Sequence, residues 1–583
     1  MKFKDLAVYL DKLEKTSSRI EITKILSELF KKADREEIDK VVYLSLGGLA
    51  PPYKEVVFNI AERMMLQVIT KAYGKEDRKV KALYKKKGDL GDVAFAIAQT
   101  QNSKLKTQNL TILEVYDRLL KIAEDEGEGS RDRKIKSTAR LLSELDNLSA
   151  RYVARIPVGN LRLGFSDKTI LDALSWMEAG DKSAKGELER AYFVLPDVGL
   201  LAKEVKTRGV EKATKSTKPK LGIPVMPMLA QRLKSPTEMI EKMGKVAIEP
   251  KFDGLRIQLH YKKGPPSRKA TEGKKGFVKA FTRNMNENSW MFPELNNIDK
   301  YVKANEIILD TEAVGVDEKR KTLANFQTTM SRRRKYEIEE TAAKVPITFQ
   351  VFDLLLKNGK SLLDKPYLER RKVLKKSIRS GNLLQIDDYL ITSDSKVIER
   401  EMGKEVSEGL EGIMVKRANS RYIAGRTGWR WVKMKEAESA VAKLADTVDS
   451  IAMGYTQGKG KRAEFGVGQF LVGIKHKGKI KTITKVGTGL TDDQFRELKK
   501  RLSKLEVRDK PKEYEVPKDL EPDYWVKPEL VVEIAADEIT KSPKHTSGYA
   551  LRFPRLVKFR DDKSINQATS ISEVKKLFKL QKS

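Results

Sequence analysis

Cysteine is absent from the 583 residues of this sequence, and histidine occurs only three times. The absence of cysteine excludes disulfides, zinc fingers and iron–sulfur clusters. The shortage of histidine argues against acid–base catalysis by imidazole. A divalent metal would therefore bind to oxygen atoms, which favours Mg²⁺ or Mn²⁺. Abundant lysine, arginine and glutamate without cysteine is also typical of thermophilic organisms.

Long apolar runs are missing as well. No stretch approaches the ~20 consecutive apolar residues that a membrane span needs, and a run such as residues 530–536 has only the length of a strand. The first 13 residues, MKFKDLAVYLDKL, are amphipathic and predict a helix rather than a secretory signal. We therefore expect a soluble, cytoplasmic protein, associated with the nucleoid if the source is prokaryotic.

Positive charge is present in large excess. Lysine and arginine number 116 against 82 aspartates and glutamates, which gives a net charge of +34. A polyanionic partner explains this excess, because cations held near phosphates release counterions on binding. The alternative is a very soluble protein with scattered surface lysines. The charge therefore favours a protein that binds nucleic acid.

The helical first third of the chain is separated from the rest by a polar segment. Apolar residues recur at helical spacing in residues 20–30, 110–123 and 137–156, which predicts an all-α domain. Residues 204–220 are polar, basic and nearly free of large apolar side chains. This composition predicts an exposed linker.

The remaining two thirds alternate strand-like and helical stretches, and then become richer in strands. Strand-like runs begin at residue 246, which predicts an α+β domain that ends near residue 435. Residues 470–475 and 479–486 flank a hairpin turn. Short strands with glycine-rich turns predict a small all-β barrel at the end of the chain. The predicted domains are 1–215 (helical, with the linker), 216–436 (α+β) and 437–583 (barrel).

Lys251 is the candidate nucleophile. It lies between two predicted strands, in the segment Glu249-Pro-Lys-Phe-Asp-Gly-Leu-Arg256. A lysine attacks phosphorus only as the neutral amine, so burial or nearby cations must favour that form. Lys433 and Lys435, on one face of a predicted strand, are the candidate cations. Gly254 permits close approach of the backbone to a nucleotide, and Arg256 is suited to hold a phosphate or ribose oxygen.

A Lys-x-Asp-Gly match alone is weak evidence, because it arises by chance in roughly one lysine-rich chain in ten. The alternative for this segment is a solvated hairpin turn. Further segments follow Lys251-Phe-Asp-Gly-Leu-Arg256 in order along the chain: Leu309-Asp-Thr-Glu312, Phe349-Gln-Val-Phe-Asp353, Glu411-Gly-Ile-Met-Val-Lys416, Trp431-Val-Lys-Met-Lys435, and Arg560-Asp-Asp-Lys563 after Arg552-Phe-Pro-Arg555. Together these six segments resemble the motifs of the ATP-dependent DNA ligases, most closely the archaeal and eukaryotic replicative type.

The resemblance implies roles for individual residues. Lys251 would carry AMP, with Asp253, Lys433 and Lys435 as further catalytic residues. Glu312 and Glu411 would bind Mg²⁺ or Mn²⁺. In the barrel, which the family identifies as an oligonucleotide-binding (OB) fold, the pyrophosphate motif would comprise Arg560, Asp562 and Lys563. The nucleotide would contact Glu249, Lys251, Arg256, Arg283, Glu312, Phe352, Lys416, Arg426 and Lys433.

Several of these residues have ordinary structural explanations. Asp310 and Glu312 on one face of an apolar strand would be costly without a cation, which favours the site. A phenylalanine in an apolar strand, such as Phe352, is usually a core residue. Lys416 lies five residues after Glu411, on the opposite face of an ideal strand, so a bulge or twist is needed for both to reach one site.

DNA contacts are predicted in the helical domain. Residues 152–164 resemble a segment of the DNA-binding domain of this subfamily, and Gly159, Asn160 and Arg162 are suited to contact phosphates. Basic patches in all three domains suit a protein that encircles duplex DNA and recognises its phosphates and shape. The resemblance leaves a sliding clamp open as a partner, but its binding motif in close relatives is not matched, because residues 100–109 lack the aromatic pair. We expect a monomer.

The activity that follows from the resemblance is the sealing of nicks between a 5′-phosphate and a 3′-hydroxyl in duplex DNA. ATP would be consumed through lysyl-AMP and DNA-adenylate intermediates, in replication, repair and recombination. The absence of cysteine argues against the NAD⁺-dependent ligases, which carry cysteine-bound zinc, but leaves ADP or another nucleotide open. The alternatives are an RNA ligase or mRNA-capping nucleotidyltransferase, against which the long helical domain argues, and a non-catalytic DNA-binding relative.

Overall fold

The computed structural model divides into two compact units, Met1–Lys433 and Met434–Ser583. None of the helices in the described ranges combines the length and the apolar character that crossing a lipid bilayer requires. The structure describes residues 1–100, 108–159, 161, 163–233, 235–264, 276–317, 322–323, 326–332, 338–425, 428–435, 447–458, 465–488 and 490–580.

The first unit begins with a helical part, as the apolar spacing predicts. The buried faces of its helices form one continuous apolar core. The helices are α1 (Phe3–Glu14), α2 (Arg19–Lys32), α3 (Ile38–Ser45), α4 (Glu62–Tyr73), α5 (Asp77–Lys87), α6 (Leu90–Gln99), α7 (Ile112–Glu124), α8 (Ser130–Glu144), α9 (Asn147–Arg155), α10 (Asp167–Ala179), α11 (Lys185–Val194) and α12 (Val198–Lys215).

The prediction of one helical stripe over residues 137–156 is wrong. Helix α8 ends at Glu144 and α9 begins at Asn147. The Asp146 carboxylate accepts hydrogen bonds from the backbone N–H groups of Leu148 and Ser149, both at 3.0 Å. Such a cap satisfies donors that a new helix leaves unpaired, so a break is stable here although the apolar spacing continues across it.

The prediction of an exposed linker over residues 204–220 is also wrong. Helix α12 continues to Lys215, with a kink at Gly209, where φ is +77°. Val205 and Ala213 are buried against the helical core. Two small apolar contacts are enough to keep this polar segment helical, and the overall composition does not reveal them.

The central part of the chain contains two sheets. The β1 sheet has the strand order β11-β10-β1-β9, and the β4 sheet has the order β3-β2-β4-β6-β7, with β5 paired to β4 and β8 to β6. The strands are β1 (Val246–Pro250), β2 (Leu255–Lys262), β3 (Phe277–Thr282), β4 (Glu306–Asp317), β5 (Thr322–Leu323), β6 (Ile347–Lys357), β7 (Lys360–Ser361), β8 (Leu384–Ile386), β9 (Leu390–Thr392), β10 (Gly412–Arg417) and β11 (Trp431–Lys435).

Helices accompany these sheets, which agrees with the α+β prediction. They are α13 (Pro236–Met243), α14 (Phe326–Met330), α15 (Ile338–Lys344), α16 (Tyr367–Ser377) and α17 (Ser395–Ser407). Strand β6 is buried along nearly its whole length, because it lies inside the sheet between β4 and β8. Strands β1 and β6 each lie inside their sheet, and they therefore hold the residues beside them in fixed positions.

The second unit is rich in strands, but it is not all-β. The strands are β12 (Val448–Thr456), β13 (Gln469–His476), β14 (Lys479–Val486), β15 (Glu506–Val507), β16 (Tyr514–Glu515), β17 (Tyr524–Val526), β18 (Val531–Ala535), β19 (Glu538–Lys541), β20 (Tyr549–Arg552) and β21 (Arg555–Phe559). Two helices, α18 (Asp492–Lys504) and α19 (Ile571–Leu580), accompany them, which corrects the all-β prediction.

The predicted hairpin is present as β13 and β14. The main sheet runs β15-β17-β12-β13-β14-β16, with β18 paired to β12 and β21 to β18. Within the described residues this pairing makes a half-barrel. A closed OB barrel stays a prediction.

Candidate active site

A pocket of about 410 Å³ is lined by residues of both the β1 sheet and the β4 sheet. It contains every nucleotide-contacting residue predicted from the sequence that the structure describes. Those residues are Glu249, Lys251, Arg256, Arg283, Glu312, Phe352, Lys416 and Lys433. Arg426 lies outside the described residues.

Lys251 follows the end of β1 and is held against the start of β10. Its N–H donates to the Gly412 carbonyl at 2.9 Å, and the Glu411 N–H donates to the Lys251 carbonyl at 3.3 Å. The Lys251 side chain forms an ion pair with the Glu411 carboxylate. The Lys251 Nζ atom is thus held against a carboxylate oxygen in this arrangement.

The two cations predicted beside Lys251 lie at different positions relative to the pocket. Lys433 lines the pocket, whereas Lys435, on the same strand, is not among the described residues that do. Asp253 follows Lys251 in the loop that leads to β2, and its charge acts on Glu312.

Gly254 lines the pocket, and it also provides a close backbone approach to a neighbouring strand. A Cβ atom at this position would lie 2.4 Å from the Ala313 carbonyl oxygen of β4. Real Cβ atoms do not approach so closely, so any larger residue would push β2 and β4 apart. The glycine therefore fits strand packing beside the pocket.

Arg256 is fixed at the pocket wall by groups of the protein itself. Its guanidinium donates to both oxygens of Asp310, at 3.0 and 2.7 Å, and to the Met228 carbonyl at 2.7 Å. The Tyr422 hydroxyl donates to Asp310 at 3.0 Å. The cation required by Asp310 is thus Arg256, and only the remaining N–H groups of Arg256 are left for a ligand.

Glu312 lies two residues after Asp310 on β4, where it pairs in register with Arg256 of β2. Burial raises the pKa of Glu312 to about 8, and Lys251 and Arg256 only partly offset that effect. A carboxyl group in this state favours a further cation nearby, because a positive charge restores the ionised form.

The carboxylates present fit a divalent metal that shares its ligands with phosphate. Within the described ranges, no three aspartate, glutamate or histidine side chains cluster to hold a metal by themselves. Mg²⁺ commonly takes one or two protein carboxylates together with substrate phosphate oxygens. Glu312, with its raised pKa, and Glu411, beside Lys251, are suited to that arrangement.

Phe352 is both a core residue and a pocket residue. It packs edge-on against Trp431, with ring centroids 5.9 Å apart, and it also lines the pocket. The Lys416 Nζ atom lies 4.6 Å from the centre of the Phe352 ring. One aromatic face is thus held in place beside a cation and is suited to stack on a base.

No bulge is needed to relate Glu411 and Lys416, in contrast to the expectation from an ideal strand. Glu411 precedes β10, and Gly412, with φ +142°, starts the strand, so strand alternation does not relate the two residues. Lys416 is buried and forms an ion pair with Glu249 of β1. Burial lowers the pKa of Lys416, and Glu249 opposes that effect.

The structure also brings residues into the pocket that the sequence patterns do not indicate. Asp387 follows β8, and its N–H donates to the Val351 carbonyl at 3.4 Å. Asn286 and Asn288 line the pocket beside Arg283. These residues lie outside the six segments, so only the pairing of β8 with β6 and the turn after β3 locate them.

Three family models match this sequence in chain order. They are described as "DNA ligase N terminus" (residues 2–175), "ATP dependent DNA ligase domain" (227–435) and "ATP dependent DNA ligase C terminal region" (463–563). The chain is 37% identical over 593 residues to a probable DNA ligase of Dictyoglomus turgidum, covering 100% of this chain and 98% of the relative. The chain belongs to the ATP-dependent DNA ligases.

A DNA ligase of Sulfurisphaera tokodaii is also 37% identical, over 605 residues, with 100% of this chain and 98% of the relative covered. A solved structure named Pmar-Lig_Pre has 19% identity and a TM-score of 0.54, covers 95% of this chain and 99% of that one, and shows likeness of fold alone. The family resemblance is confirmed, and so is the prediction of an enzyme. DNA ligation is thereby favoured over the RNA-ligase, capping-enzyme and non-catalytic alternatives.

The C-terminal motif of this ligase is engaged in ion pairs within its own unit. Arg560 donates to Asp449 at 3.1 Å, to Glu533 at 3.3 Å and to both oxygens of Asp562, at 2.8 and 2.6 Å. Lys563 forms an ion pair with Asp449. The predicted pyrophosphate cations are thus neutralised by carboxylates in this arrangement.

The predicted DNA-binding loop of the ligase is only partly described. Gly159 adopts φ +66°, and no atom of the other described residues, apart from its chain neighbours, lies within 4 Å of where its Cβ would be. Asn160 and Arg162, and most of the clamp-like segment 100–109, lie outside the described residues. Just before the loop, the buried Arg155 donates to Asp89 and Glu14, both at 2.9 Å, which anchors the end of α9.

Proposed function

We propose that this ligase seals nicks between a 5′-phosphate and a 3′-hydroxyl in duplex DNA through a lysyl-AMP intermediate on Lys251. The observation that supports this proposal most directly is the pocket, which gathers Lys251, Glu312 and Phe352 from three separate segments around about 410 Å³. An amine, a carboxyl group and an aromatic face are the groups that transfer of a nucleotide requires.

The first step is attack by the Lys251 Nζ atom on the α-phosphorus of ATP. A nitrogen–phosphorus bond forms, the bond to pyrophosphate breaks, and the amine gives up its proton. For this step the Glu411 carboxylate must move away from Lys251, since the ion-paired ammonium has no free electron pair. Lys433, in the same pocket, is suited to stabilise the phosphate charge.

The second and third steps transfer AMP to DNA and release it. An oxygen of the 5′-phosphate attacks the α-phosphorus, and Lys251 leaves and regains a proton. The 3′-hydroxyl oxygen then attacks the 5′-phosphorus, AMP leaves, and the hydroxyl proton is lost. Each step is a displacement at a crowded anion, so positioning and charge neutralisation supply most of the catalysis.

Glu312 and Glu411 would hold Mg²⁺ or Mn²⁺ together with phosphate oxygens of the substrate. When bound, the metal supplies charge neutralisation at the transferring phosphoryl group. Glu249, Arg256, Arg283, Phe352, Lys416 and Arg426 are proposed to contact the nucleotide. Asp253 and Lys435 are proposed as supporting catalytic residues.

The predicted domains 1–215, 216–436 and 437–583 are retained as a proposal, with the last closing into an OB barrel. Gly159, Asn160 and Arg162 would contact the DNA backbone, and Arg560, Asp562 and Lys563 would face pyrophosphate. We propose a monomer that works on nicked DNA in replication, repair and recombination. Clamp binding has no supporting motif.

Covalent labelling tests the proposed intermediate. Wild-type ligase incubated with α-³²P-labelled ATP and Mg²⁺ should retain label after denaturation, and nicked duplex DNA should then remove it. Lys251→Ala should lose the label entirely, because it removes the proposed nucleophile, whereas Lys416 and Lys433 line the same pocket and remain. Lys245→Ala, which removes an exposed lysine just before β1, should label normally. Persistent labelling of the Lys251→Ala variant would refute the assignment.

A further inference from the structure

Two carboxylate oxygens at the pocket have no hydrogen-bond partner among the described residues. They are Oε1 of Glu249 and Oδ1 of Asp387, and both residues line the pocket. Both side chains are deeply buried, with 2% of Glu249 and 5% of Asp387 exposed. A buried acceptor left unpaired costs free energy, so these two atoms indicate that a ligand supplies donors here.

The two acceptors come from different sheets and meet at the pocket. Glu249 lies on β1, and its other oxygen, Oε2, is ion-paired with Lys416. Asp387 lies one residue after β8, in the sheet that contains β6. Burial raises the pKa of Asp387, and the negative charge of Glu249 raises it further. The Lys416 ammonium and the Arg371 guanidinium oppose these effects, but neither donates a hydrogen bond to Oδ1 of Asp387 or to Oε1 of Glu249.

The same two acceptors are connected to the Phe352 ring through neighbouring residues. The Val351 carbonyl that receives the Asp387 N–H directly precedes Phe352. The Lys416 ammonium that pairs with Glu249 lies over the Phe352 ring. A planar base stacked on Phe352 would thus have its edge near two oxygen acceptors.

We propose that Asp387 determines base specificity: with Glu249, it accepts the two N–H bonds of the 6-amino group of the adenine of ATP. This inference rests on the proposed function of the pocket. A 6-oxo purine would place an acceptor where the 6-amino group donates two N–H bonds, and its single N1–H could satisfy only one of the two carboxylate oxygens. Asp387 is therefore a specificity residue for the nucleotide, outside the six sequence motifs.

Nucleotide analogues test this assignment on the full chain. The rate of covalent transfer to Lys251 is measured with ATP, with ITP, which carries a 6-oxo group, and with purine riboside triphosphate, which lacks the 6-amino group. Wild-type ligase should prefer ATP over both analogues. Asp387→Asn should lower the ATP-to-ITP rate ratio by about tenfold or more, because the amide nitrogen can donate to a 6-oxo group.

A second variant at the same position separates the loss of the acceptor from the introduction of an amide donor. Asp387→Ala removes the acceptor and adds no donor, so it should reduce the preference for ATP over purine riboside triphosphate. Both variants should fold, since the raised pKa of Asp387 means that its charge opposes folding. Asp388→Asn, at the exposed neighbouring carboxylate, should leave all the ratios unchanged.

The results separate this inference from the proposed function. If wild-type ligase is not labelled by ATP, the proposed function fails. If it is labelled, but both Asp387 variants slow transfer from all three nucleotides equally, Asp387 is only structural and the specificity assignment is overturned. Altered ratios in the Asp387 variants, with normal ratios in Asp388→Asn, support it.

Discussion

Glu312 is the residue at which the requirements of folding and of catalysis conflict most clearly. Its pKa is raised from 4.5 to about 8 by burial in the wall of the pocket. Because the folded-state pKa lies above the unfolded value, ionisation of Glu312 opposes folding. Its contribution to stability is greatest below pH 4.5 and is lost as the pH rises through 8. A cation bound at the site would oppose that loss.

Glu312→Gln should therefore stabilise the nucleotide-free ligase at high pH while impairing nucleotidyl transfer. The difference in melting temperature between variant and wild type should grow in favour of the variant from pH 5 to pH 9, because glutamine cannot ionise. Thermal unfolding over this range checks the prediction. Glu339→Gln, at an exposed glutamate, should show no such trend, and a pH-independent difference for Glu312→Gln would contradict it.

The sequence can predict such residues only where chemistry and spacing combine in short segments. Lys251, Glu312 and Phe352 each lie in a segment whose order along the chain is informative, and the structure gathers them in one pocket. Their proposed roles stay predictions. Asp387 could not be predicted, because it meets Glu249 only through the pairing of β8 with β6. The ion pair of Arg256 with Asp310 could not be predicted either, because the two residues meet only through the pairing of β2 with β4.

At the scale of elements, the close packing of β2 against β4 depends on the absence of a side chain at Gly254. Gly254→Ala would place a Cβ atom 2.4 Å from the Ala313 carbonyl oxygen and 3.0 Å from Val314. The strands would have to separate, which displaces Arg256 and Glu312 together. We expect a lower melting temperature and a loss of lysyl-AMP formation of about tenfold or more, since a 1 Å misplacement can cost ~100-fold.

A glycine in a helix is the matched control for this change. Gly403 lies in α17, and outside the backbone of its own helix no atom of the described part of the chain lies within 4 Å of where its Cβ would be. Gly403→Ala should leave lysyl-AMP formation unchanged and stabilise the fold by about 0.5–1 kcal/mol, because alanine favours helix. Similar melting temperatures and labelling rates in the two variants would show that the contact of Gly254 with β4 is unimportant.

Most elements of the fold could be predicted where apolar spacing is strong, as in α2, β6 and the β13–β14 hairpin. The errors occur where a few local contacts override the average pattern. One aspartate side chain divides α8 from α9, and two buried side chains keep α12 helical through a polar segment. The pairing order of strands, which sets the pocket, cannot be obtained from apolar spacing at all.

At the scale of the whole molecule, the net charge of +34 predicts that DNA binding is more sensitive to salt than lysyl-AMP formation is. Binding to nicked DNA releases counterions from the phosphates, so affinity should fall by about tenfold or more between 50 and 200 mM KCl. Formation of lysyl-AMP depends on a small buried site and should change by less than about twofold. Binding assays and self-labelling in the same buffers, with Mg²⁺ held constant, measure both quantities. A parallel decline of the two would contradict the prediction.

The ion pair between Lys251 and Glu411 also has a consequence for the idle enzyme. Aldehydes, isocyanate and acyl phosphates modify neutral amines and leave ammonium ions largely untouched. A ligase waiting for ATP would therefore keep its proposed nucleophile protected from the reactive metabolites around it. The same contact that must open before catalysis thus helps the molecule to remain chemically intact between turnovers.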